Sequence, residues 1–81
     1  MKFIFTEQGF RDYQSISIRL QTSVDKQIAF LLKNLRHPSL HAKKYNESQN
    51  IWQARITKSY RFYFRIEGDT YQIIAITPHS K

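Results

Sequence analysis

The sequence predicts an α+β domain in which a helical hairpin packs on one face of a mainly antiparallel four-stranded sheet, in the order β-α-α-β-β-β. Two observations carry this. The last third of the chain alternates apolar and polar residues at the period of a strand. The middle carries Val24, Ile28, Leu31, Leu32 and Leu35, one apolar stripe at helical spacing. At 81 residues the chain fits one domain, residues 1–81, with no internal repeat and no linker. Forty-one per cent of it is hydrophobic and 15% aromatic, the large side chains a small core requires.

The elements follow in order. Lys2 to Thr6 reads as a short strand with Phe3 and Phe5 on one face. A helix is expected from about Glu7 to Leu20, with Phe10, Tyr13, Ser17 and Leu20 near one stripe. The next helix is expected to begin at a Thr22 or Ser23 cap, with Asp25 in its first turn, and to stop before Pro38. That puts the turn of the hairpin near Gln21–Thr22. Residues 37–50 are irregular and polar, and read as a loop. Residues 51–57, 59–67 and 70–77 read as three strands, with a tight turn at Glu67-Gly68-Asp69-Thr70.

Alternation divides the strand residues between two faces. Trp52, Ala54, Ile56, Tyr60, Phe62, Phe64 and Ile66 belong against the helices. Arg55, Arg61, Tyr63 and Arg65 belong on the other face. A one-residue slip would bury the arginines and expose the large apolar groups.

Net charge is +7, made of +1 over residues 1–32 and +6 over residues 33–81. The excess lies where the arginine face lies, as a polyanion-binding surface requires. Guanidinium groups match phosphate oxygens, and tyrosine offers a stacking platform for bases. The alternative is an ordinary solvated face with Arg65 paired to Glu67. His79, beyond Pro78 at the end of the last strand, can serve as general acid or base. The chain has no cysteine, so it has no disulfide framework or thiolate metal site. A metal site built from His37, His41 and His79 is not expected, and no cofactor is implied. Gly-rich phosphate loops and nucleophile elbows are missing. No run is long enough to span a bilayer, and no signal peptide is read, so the chain is expected to be the mature, cytoplasmic protein with no membrane partner.

The series Ile51-Trp52-Gln53-Ala54-Arg55-Ile56, Tyr60-Arg61-Phe62-Tyr63-Phe64-Arg65-Ile66 and Ile74-Ala75-Ile76-Thr77-Pro78-His79 resembles the strand signature of the RelE/ParE superfamily, the toxins of type II toxin–antitoxin systems. The preceding Leu35–Tyr45 segment is similar to the connection from helix to sheet in that family. The resemblance implies a RelE-like fold and a toxin neutralised by a cognate antitoxin in a hetero-oligomer. It implies a metal-independent, ribosome-dependent mRNA endoribonuclease that inhibits translation. In that chemistry the ribose 2′-OH attacks the adjacent phosphate. Arg55, Arg61 and His79 fall at the family's catalytic basic positions. Lys43, Lys44, Gln53, Lys58, Tyr63, Arg65 and Lys81 are assigned to RNA binding. Gln53 stands where some nuclease members carry lysine. The sequence given ends two residues after His79, where some members add a tyrosine or another acid–base residue. Other members of the superfamily poison DNA gyrase, and a non-catalytic RNA-binding module is a third reading.

Overall fold

Thr6 begins the first helix because its side chain can do two things at once. In the computed structural model, which describes residues 1–79, its Oγ1 accepts the Gly9 N–H at 3.1 Å and donates to the Ile73 carbonyl at 3.2 Å. Strand β1 (Lys2–Phe5) therefore ends where helix α1 (Glu7–Ser15) starts, and both are tied to strand β5 (Thr70–Pro78). Gly9 lets the helix lie close on that strand: a Cβ there would collide with the Ile73 carbonyl oxygen.

The turn of the hairpin differs from the sequence expectation. Helix α1 stops at Ser15, and α2 runs from Ile18 to Lys33. Ser17 caps α2, its Oγ accepting the Leu20 N–H at 3.2 Å, so Thr22 and Ser23 lie within the helix. A serine that fits a helical stripe also competes for backbone N–H groups, and here the cap prevails. The predicted stripe on the first helix is also modified: Phe10 is 47% exposed and packs its ring against Phe5 at 6.0 Å.

Residues 37–50 are more ordered than a loop. They hold a 3₁₀ turn at Pro38–Leu40 and a short edge strand, β2 (Lys43–Asn46). With β3 (Ile51–Arg55) and β4 (Tyr60–Glu67) the sheet has five strands in the order β1-β5-β4-β3-β2. β1 runs parallel to β5 and the other pairs are antiparallel. The fifth strand escaped the sequence reading because four residues with an irregular register carry no clean alternation.

The helices cover one face. Val24 and Leu31, from the predicted helical stripe, are fully buried with Ala54, Phe62 and Phe64, from the predicted strand face, and with Ile73 of β5. Simple alternation would separate Ile73 from Ile76. A bulge resolves this: Phe62 pairs with Ile76 and Phe64 with Ile73, so Ile74 and Ala75 both stand against Tyr63 and both isoleucines are buried. Asp12 of α1 accepts the Ile76 N–H at 2.9 Å at this irregularity. Among the described residues no helix is long and apolar enough to cross a membrane.

Candidate nucleic-acid interface

The uncovered face of β3 and β4 presents the predicted arginines. Arg55 and Arg61 stand directly opposite each other on neighbouring strands. Like charges in that position repel, so the pairing is unfavourable without an anion between them. Among the described residues the ion pairs are Lys2–Asp69, Arg11–Glu7 and Lys44–Glu47; none neutralises Arg55, Arg61 or Arg65. Arg65 does not pair with Glu67; its Nε donates to the Gln49 carbonyl at 3.2 Å.

The backbone fixes Arg61. Its Nη1 donates to the carbonyls of Thr57 at 2.8 Å and Tyr60 at 3.1 Å, both at the turn joining β3 and β4. Arg55 is half-buried, and its Nε is buried without a hydrogen-bond partner among the described residues. An unmatched buried donor costs about 1–3 kcal/mol, which an incoming acceptor can offset. These two arginines, with His41, Lys43, Gln53 and His79, line an open cleft of about 450 Å³. No carboxylate among the described residues lines it.

The other predicted residues sort by position. Lys58 joins Arg55, Arg61 and His79 around an adjoining hollow of about 400 Å³. Tyr63 and Arg65 lie on a shallower shelf of about 520 Å³ with Tyr45, Ile51, Ile74 and Ala75. Tyr63 is oriented there by Gln53, whose Nε2 donates to its hydroxyl at 3.2 Å, and by the edge of Tyr45 at 4.9 Å. Lys44 is elsewhere: it pairs across the strands with Trp52, the residue that packs on Phe64, and its Nζ sits 5.2 Å from the Trp52 ring. It is thus on the helix side of the sheet. Lys81 lies outside the described residues.

Two residues at this site carry no assignment from the sequence. His41 lines the cleft, brought there by the 3₁₀ turn that the loop reading omitted. Gln27 is 2% exposed in α2. Its Nε2 donates to the carbonyls of Ser39 at 3.1 Å and Arg55 at 2.8 Å, and its Oε1 accepts from the Ser39 hydroxyl at 3.0 Å. It joins the helix, the 3₁₀ turn and the end of β3. One signal was present: a glutamine sits beside Ile28 on the Val24–Leu31 stripe, where a polar group must find partners.

No protein-family model matches the sequence, and no curated protein sequence matches it. Solved structures do match. The YoeB/ParE toxin from Agrobacterium tumefaciens superimposes with a TM-score of 0.82 at 21% identity, covering 99% of this chain and 100% of that one. The fold is that of the RelE/ParE toxins. The heterotetrameric YoeB–YefM toxin–antitoxin complex from Staphylococcus aureus matches with a TM-score of 0.78 at 16% identity, over 96% of this chain and 95% of that one. The RelB–RelE antitoxin–toxin complex from Methanococcus jannaschii matches with a TM-score of 0.73 at 18% identity, over 93% and 88%. The RelE/ParE fold expected from the strand motifs is thus present, with the helical hairpin on one sheet face and the basic cleft on the other.

Proposed function

We propose that this chain is a RelE/ParE-superfamily toxin of a type II toxin–antitoxin pair, and that it cleaves mRNA on the ribosome without a metal. The observation that carries this reading is the cleft where Arg55, Arg61, Lys43 and His79 converge with no carboxylate among the described residues. Such a cleft favours an anionic phosphate over cationic and neutral ligands.

The reaction is transesterification. The ribose 2′-OH attacks the neighbouring phosphorus, charge builds on the phosphoryl oxygens, and the 5′ oxygen leaves. Arg61, held by the Thr57 and Tyr60 carbonyls, offers its remaining donors to that charge. A preorganised donor of this kind contributes about 10²–10³ in rate. Arg55 shares the role from the opposite strand, and the buried Nε gives it a reason to accept a ligand. His79 transfers a proton, worth on the order of 10²–10⁴. Tyr63, Arg65, Gln53 and Lys58 guide the flanking nucleotides.

The partner is a cognate antitoxin whose acidic segment covers the arginine face, giving a cytoplasmic hetero-oligomer. Several structures of this fold are toxin–antitoxin complexes, which supports it.

The test is induction in cells with mapping of mRNA 5′ ends. New cleavages within translated frames support the reading. Their absence, with inhibition of purified gyrase in a supercoiling assay, replaces it by gyrase poisoning. Salt-sensitive RNA binding with no cleavage on ribosomes replaces it by a non-catalytic RNA-binding role.

A further inference from the structure

We propose that His41 is a second catalytic residue, which with His79 forms an acid–base pair across the cleft. This rests on the nuclease reading above and names a group that the family motifs did not.

His41 closes the 3₁₀ turn in the left-handed region, at φ 47 and ψ 42. Histidine is one of the few residues besides glycine enriched in this uncommon region, and the conformation is held where surrounding contacts enforce it. They do so here. The ring of His37 stacks on Phe30 at 3.9 Å, and its Nδ1 accepts the Ser39 N–H at 3.1 Å. Gln27 holds Ser39 from beneath, and the same amide holds the carbonyl of Arg55. The turn that carries His41 and the strand that carries Arg55 are therefore anchored to one buried side chain. His41 is itself exposed and lines the same cleft as Arg55, Arg61 and His79.

The proposed reaction moves two protons. One leaves the 2′-OH as the O2′–P bond forms. The other reaches the 5′ oxygen as the P–O5′ bond breaks and its electron pair stays on that oxygen. The products are a 2′,3′-cyclic phosphate and a 5′-hydroxyl, with no oxidant or co-reactant required. Guanidinium is a poor proton carrier because it stays charged, and no carboxylate among the described residues lines the cleft. Lys43 also lines the cleft, but imidazole is the side chain that ordinarily exchanges protons near neutral pH, so the two histidines are the lining groups best suited to both transfers. One accepts the 2′ proton and the other supplies the 5′ proton.

His41→Asn is the informative variant, because asparagine tolerates the left-handed backbone. On ribosomes programmed with a short synthetic mRNA, its cleavage rate is expected to fall by about 10²–10⁴-fold. Binding of the same mRNA made uncleavable by 2′-O-methylation is expected to stay unchanged. A second mRNA carries sulfur in place of the 5′ bridging oxygen, and the sulfur leaves without being protonated. Exactly one of His41→Asn and His79→Asn should regain cleavage on it, the one that has lost the acid. Cleavage by His41→Asn at the wild-type rate overturns the proposal. So does an equal response of both variants to sulfur, whether both recover or neither. If the wild-type protein cleaves neither mRNA, the nuclease reading itself fails, and His41 loses its role with it.

Discussion

The two faces of β3 and β4 use the same backbone for opposite ends. On the helix side Ala54, Phe62 and Phe64 are fully buried. On the open side Arg55 and Arg61 stand opposite each other with no carboxylate among the described residues against them. Neighbouring residues thus differ completely in what they do. Phe62 is surrounded by apolar side chains, and its environment is satisfied within the chain. Arg61 is fixed by two carbonyls at one end and has no charge partner among the described residues at the other. A strand can hold both because its side chains alternate, so stability and chemistry can be read at alternate positions.

The contrast is sharpest when adjacent residues are replaced. Phe62→Ala should cost about 3–5 kcal/mol of stability, read by urea denaturation. Arg61→Ala should leave the denaturation midpoint nearly unchanged and lower cleavage by about 10²–10³, read on programmed ribosomes. If Arg61→Ala unfolds the protein, the division between the faces fails.

Gln27 joins the two faces, so its loss should blur them. Gln27→Leu removes the partner of the Ser39 and Arg55 carbonyls and of the Ser39 hydroxyl. It should cost about 1–3 kcal/mol and also lower cleavage. Arg61→Ala should lower cleavage alone and Phe62→Ala mainly stability. A Gln27→Leu protein that loses stability but keeps its rate would show that the amide supports only the core.

The smallest effect lies away from both faces. The Tyr13 hydroxyl donates to Asp25 at 2.8 Å, linking α1 to α2. That hydrogen bond, then slight burial, then the Asp25 charge, raise the Tyr13 pKa above the usual tyrosine value. Burial alone raises Tyr71. The raised phenol favours folding while it keeps its proton. Its contribution is therefore present below the unfolded value, about pH 10, and is lost as pH rises through the folded value. Tyr13→Phe should cost no more than about 1 kcal/mol at neutral pH. The gap to wild type should close above about pH 10, which denaturation at several pH values can follow.

Much of the fold was legible in residues 51–77, because a buried face imposes its period on the sequence. The α2 stripe was legible for the same reason, but its start was not. Ser17 fits a helix face and a cap equally well, and only the break after Ser15 decides between them. The bulge in β5 was invisible, since Ile74, Ala75 and Ile76 read as an unbroken strand. Of the predicted site, Arg55, Arg61, Lys43, Gln53 and His79 came together. Lys44 did not, because its strand was read as loop and its face could not be assigned.

The sequence by itself determined which side chains share a face, where the positive charge concentrates, and that Arg55 and Arg61 lie uncovered. These depend on local periodicity and composition, which the order of residues contains. Only the tertiary structure decided what stands beside them. The short edge strand brings Lys43 to the cleft, the 3₁₀ turn brings His41, and the buried Gln27 amide locks that turn to the strand of Arg55. Those contacts join residues 12 and 28 positions apart in the chain, a distance over which no local pattern acts.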